Sequence, residues 1–105
     1  MNPFDIFITY ISWGQDGKNR PVLTLMFKND FVFIYPVTTQ YGNKSEFIKK
    51  RYFKIKDWNQ AGLARQSYID TGTIVKIPSS AIANKKPIGR LSNTDKQKLL
   101  EFLTK

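Results

Sequence analysis

The chain contains neither cysteine nor histidine. The first absence excludes disulfides, thiolate nucleophiles and cysteine-built metal sites. The second excludes imidazole-based zinc sites and histidine acid–base pairs. Long apolar runs are also lacking, and none approaches the roughly 18 residues of a membrane-spanning helix. The segment Met1-Asn2-Pro3-Phe4-Asp5 has no basic stretch of the kind that opens a secretory signal, so a cytoplasmic location is expected. No internal repeat or low-complexity linker divides the sequence, and residues 1–105 read as a single domain. Acidic residues are scarce, 8 against 17 lysines and arginines, for a net charge of +9. Such a surplus on so small a surface favours polyanionic partners.

What is present is apolar and aromatic. Apolar residues make up 41% of the chain and aromatics 14%, enough for a folded core rather than a disordered chain. Most of the aromatics fall in short runs of β type. Phe4 to Ile11 alternates Ile6, Ile8 and Tyr10 with Phe7, Thr9 and Ile11, which predicts a strand. Trp13 to Asn19, with two glycines, predicts a loop. A second strand, Val22 to Phe27, is expected after Pro21, and a third runs from Phe31 to about Thr38 after a tight turn at Lys28-Asn29-Asp30. Pro36 argues for an edge or a bulge there.

Tyr41 to Lys50 reads as a polar, basic loop, and Arg51 to Lys56 as a fourth strand. Asp57 to Ala61 is expected to form one helical turn capped by Asp57 and ended by Gly62. Short strands follow near Tyr68–Ile69 and Thr73–Ile77. The last twelve residues predict a helix, opened by a capping box of Ser92 and Asp95. The fold class is therefore mostly β with a C-terminal helix, and such short strands remove their edges by closing into a small SH3-like or OB-like barrel.

Several blocks resemble one family. Asp5-Ile6-Phe7, a glycine-containing loop and then Arg20-Pro21-Val22-Leu23 resemble the opening of MazF/PemK/Kid toxins. Val37-Thr38-Thr39-Gln40, following Pro36, is similar to that family's Pro-x-Thr-Thr-Gln segment. Ala61-Gly62-Leu63, Ser67-Tyr68-Ile69 and Ile88-Gly89-Arg90-Leu91-Ser92 resemble later blocks, in the family's order. The resemblance implies an SH3-like barrel, a homodimer and cleavage of single-stranded RNA without metal or cofactor. It implies 2′,3′-cyclic phosphate and 5′-hydroxyl products, and an acidic antitoxin that covers the site.

On that resemblance Arg20 and Thr38 are the expected catalytic pair. A guanidinium stays charged and grips phosphate through paired donors, so Arg20 suits charge stabilisation better than proton transfer. The Thr38 hydroxyl can orient a phosphate oxygen or the 2′-OH. Thr39, Gln40 and Ser67 are expected in support. The plain alternatives are a solvent-facing arginine and an ordinary β-branched strand residue. Some family members carry a carboxylate in the strand after the Ser-x-Ile block. Gly72 falls there in this chain, with Asp70 two residues earlier, and Asp16 is a candidate substitute. The general base is left unassigned. Lys18, Lys44, Lys49, Lys50 and Arg51 are expected to bind RNA phosphates, and Trp13 to stack on a base. The competing functions are a non-catalytic RNA- or protein-binding barrel and a decayed toxin that keeps only antitoxin contacts. The related gyrase-poisoning branch ranks lower, because the chain ends Phe102-Leu103-Thr104-Lys105 rather than in a Trp-Gly-Ile type of sequence.

Overall fold

Apolar residues on both faces of the first strands require a sheet covered on both sides. The computed structural model describes residues 2–13 and 15–105, with only the backbone of Trp13. It contains β1 (Asp5–Trp13), β2 (Asp16–Lys28), β3 (Phe31–Thr38), α1 (Glu46–Lys49), β4 (Tyr52–Lys54), β5 (Tyr68–Asp70), β6 (Val75–Pro78), α2 (Ser80–Ala83), β7 (Gly89–Arg90) and α3 (Asn93–Leu103). The strands form one antiparallel sheet in the order β4-β5-β3-β2-β1-β7, with β6 also on β3. The sheet curls into a half-barrel.

Alternation along the strands feeds two cores. Ile6, Leu23, Tyr35 and Val37 join Phe53, Ile55, Ile69, Leu91 and Leu99 on one face. Phe7, Val22, Val32 and Ile34 join Ile11, Ile77 and Ile82 on the other. This double burial explains the adjacent apolar pair Ile6-Phe7; further along the Ile6 face of β1, Ile8 and Tyr10 are exposed. Each fully buried aliphatic side chain contributes on the order of 1.5–3 kcal/mol. No helix among the described residues is long and apolar enough to cross a membrane.

β3 has two partners on its outer edge. Phe31 to Ile34 pair with β6, while Val37 and Thr38 pair with β5. Pro36, which has no N–H to give a ladder, lies between the two. A register shift between Thr24 and Met26 marks a bulge in β2.

Some local expectations are corrected. Asp16 to Asn19 is not loop but the first part of β2, paired with β1 from Trp13↔Asp16 to Thr9↔Arg20. The pairing gained along a long hairpin overrides the turn chemistry of its glycines. The basic segment before β4 contains the single-turn α1, whose Ser45 side chain accepts from the Ile48 N–H. α2 and β7 have no counterpart in the sequence reading. The turn at residues 56–62 ends at Gly62 as expected, in a left-handed conformation (φ 85°). Leu63 N–H donates to Trp58 O and Gly62 N–H to Asn59 O, a Schellman closure. Asp57 does not cap that turn; its Oδ2 accepts from Ser92 Oγ at 2.7 Å.

Candidate functional site

The site arises where two paired strands part. The β2–β3 ladder ends at Val22↔Pro36. Continued by two residues, that register would set Arg20 against Thr38, and by two more, Lys18 against Gln40. Instead β3 follows β5, with Thr38 opposite Tyr68. The strands diverge and a cleft opens between them.

The cleft has two adjoining lobes. One, of about 330 Å³, is lined by Lys18, Arg20, Pro36, Thr38, Gln40, Lys44, Tyr52 and Asp70. The other, of about 180 Å³, adds Asn19, Thr39 and Ser67. Three cations face one carboxylate here, so the cleft favours an anion.

Register accounts for the grouping. Thr38 pairs with Tyr68, and Tyr52 pairs with Asp70. Opposed residues, and those two apart along a strand, share a face. Thr38, Tyr68, Asp70 and Tyr52 therefore lie on one face, while Val37, Ile69 and Phe53 between them enter the core on the other. A packed core thus backs the site.

Arg20 and Thr38, 18 positions apart in sequence, line the same cleft. Thr38 Oγ1 accepts from the Gln40 N–H at 3.0 Å, which orients the hydroxyl and holds the Thr38–Gln40 turn. Ser67 is buried, and its Oγ donates to Arg65 O at 2.9 Å, a local structural bond. Lys18 and Lys44 reach the cleft. Lys49 sits over the Tyr41 ring at 5.1 Å and pairs with Glu46 at 3.7 Å. Lys50 is exposed at the end of α1. The Arg51 guanidinium lies 5.1 Å from the Phe47 ring centroid. The Trp13 side chain lies outside the described residues.

Asp16 is not brought to the cleft. It is exposed at the far end of the β1–β2 hairpin, four strand residues and so about 13 Å from Arg20. The carboxylate in the cleft is Asp70. Its Oδ1 accepts from the Gly72 N–H at 3.0 Å. A side chain at Gly72 would meet Arg51, whose Cδ and Nε lie 2.6 Å from the Cβ position. Gly72 therefore leaves room for Arg51.

Tyr52 is not among the candidate residues of the sequence analysis. Burial raises its phenol above the ordinary tyrosine value, and the negative Asp70 adds to this; Arg20 and Arg51 pull the other way. Tyr41 stacks on Tyr68 (4.4 Å between centroids, 10° between planes) and lies 6.3 Å from Tyr52. Only the β4–β5 register, invisible without the fold, distinguishes Tyr52 from its neighbours.

The fold and cleft define a mostly-β half-barrel with a C-terminal helix and a polar, cationic cleft at a strand divergence. No protein-family model matches the chain, and no curated protein matches it.

Proposed function

We propose that this chain is a toxin of the MazF/PemK/Kid type, an SH3-like barrel that cleaves single-stranded RNA without a metal. One observation carries the reading: Arg20 and Thr38, the pair named by the sequence resemblance, line a single cationic cleft together with Gln40, Lys18 and Lys44.

In this reading the 2′-OH of the RNA attacks the adjacent phosphorus. A 2′,3′-cyclic phosphate forms and the 5′-oxygen leaves. Arg20 holds the non-bridging oxygens and stabilises the charge that grows on them. Thr38 donates its hydroxyl proton to a phosphate oxygen, while its lone pair stays on the Gln40 N–H. Lys18 and Lys44 hold neighbouring phosphates. The protein acts in the cytoplasm as a homodimer. The same cations receive an acidic antitoxin segment, which blocks RNA by occupying their cleft.

Purified protein incubated with a long messenger RNA in chelator tests this reading. Discrete fragments ending in cyclic phosphate are expected. Intact RNA with retarded migration would instead mark a non-catalytic binder.

A further inference from the structure

The reaction above leaves two proton transfers without owners. We infer that Asp70 and Tyr52 form its acid–base pair: Asp70 accepts the 2′-OH proton and Tyr52 protonates the leaving 5′-oxygen. This assignment rests on the ribonuclease reading.

The geometry supports both roles. Asp70 and Tyr52 are direct cross-strand partners in β5 and β4, and both line the lobe that holds Arg20 and Thr38. Asp70 is the only carboxylate among the described residues of that lining. Its Oδ1 accepts from the Gly72 N–H, which leaves Oδ2 as the oxygen that would take the proton. An ionised carboxylate can only accept, so the basic role falls to Asp70. Tyr52 is half-buried in the same lobe and presents a phenol directly across the strand pair from Asp70, whereas Lys18 and Lys44, the other proton donors of that lining, are assigned to neighbouring phosphates. A phenol is protonated at neutral pH and so has a proton to give; burial and the Asp70 charge raise it and weaken it as an acid, while Arg20 and Arg51 act against that rise. Arg20 lies near enough to favour the phenolate as it forms.

Atoms and charges balance. The O2′–P bond forms as the proton leaves O2′ for Asp70. The P–O5′ bond breaks as O5′ takes the phenol proton. Asp70 is then protonated and Tyr52 is a phenolate, and a proton passing from the first to the second restores the starting state. No further reactant is needed.

The turn Asp70-Thr71-Gly72 explains why the carboxylate stands at 70. A side chain at position 72 would have to displace the Arg51 side chain, and the Gly72 N–H serves to hold Asp70.

Two oligoribonucleotides test the assignment, each spanning a bond cut by the wild type. In the second, sulfur replaces the bridging 5′-oxygen, giving a leaving group that needs no proton. Tyr52→Phe should cleave the oxygen substrate at least about 100-fold slower than wild type. On the sulfur substrate it should return to within a few-fold of wild type. Asp70→Asn, which keeps the acceptor for Gly72, should be slow on both. A structural defect would slow Tyr52→Phe equally on the two substrates, and that result overturns its role. Near-wild-type cleavage of the oxygen substrate by either variant overturns the role of that residue. If the wild type cuts no RNA at all, the ribonuclease reading and this assignment fall together.

Discussion

Arg20 is partly buried and sits where β2 has lost its β3 partner and keeps only its β1 partner, Thr9. Its removal should therefore spare the fold. Arg20→Ala is expected to cost no more than about 1 kcal/mol of stability, the centre of the range for point substitutions, while RNA cleavage falls by 100-fold or more, roughly the loss from removing one charge-stabilising donor. Urea titration and cleavage rates check the two halves. For Thr38 the hydroxyl is at issue rather than the methyl group: Thr38→Ser should retain most activity and Thr38→Val should lose it, with kcat falling more than KM rises. Two tyrosines make a separate prediction about pH. Burial raises the Tyr35 phenol, and burial with the Asp70 charge raises Tyr52. Their folded values thus lie above the unfolded value of about 10. The stability linked to these protonated phenols is complete below pH 10 and is lost as pH rises through the folded values. Urea midpoints should decline above pH 10, and less steeply in Tyr35→Phe.

At the scale of elements, the C-terminal helix is tied down by its first turn. Ser92 Oγ accepts from the Asp95 N–H at 3.1 Å, the expected cap. Asp95 does not complete the box. Its Oδ1 and Oδ2 accept from the N–H groups of Lys56 (3.0 Å) and Asp57 (2.7 Å), across the domain. The carboxylate is buried, so Asp95→Ala should cost roughly 3 kcal/mol, two charge-assisted bonds at the lower end of their range, read by urea denaturation. Gly62 and Gly89 are a matched pair. A side chain at Gly62 would strike the Ile88 carbonyl, and one at Gly89 the Ala61 carbonyl. Two blocks quoted for the sequence resemblance, 61–63 and 88–92, thus pack on each other. The same region shows what a sequence can and cannot convey. Ser92 and Gly62 were legible because caps are local chemistry, whereas the expected role of Asp95 in closing the box was not realised. The partners of Asp95 lie 38 and 39 residues away, and nothing local announces them. Strand alternation marked β1 and β3, but not the length of β2, since the glycine-rich segment is held by cross-strand pairing rather than by its own preference. The motif resemblance named Arg20 and Thr38, and the strand divergence sets both on one cleft. Tyr52 and Asp70 joined them only through register.

The whole molecule adds its charge. A net +9 on 105 residues attracts polyanions to the surface; in the proposed reaction, selectivity for RNA must come from the cleft, where Lys18, Arg20 and Lys44 converge. For single strands the logarithm of affinity falls with the logarithm of salt by about 0.7 per neutralised phosphate. Lys44→Ala should flatten that slope by about 0.7, measured by anisotropy with a 2′-deoxy-substituted strand that cannot cyclise. The half-barrel supplies the frame: one core backs the cleft through Val37, Ile69 and Phe53, while the divergence at Pro36 opens it. The most direct test compares wild type and folded Arg20→Ala on one long messenger RNA in chelator, with the 3′ ends of the fragments analysed chemically. Discrete fragments bearing 2′,3′-cyclic phosphate from the wild type, and intact RNA from Arg20→Ala, are predicted. Intact RNA from the wild type, or equal cleavage by both proteins, would contradict it.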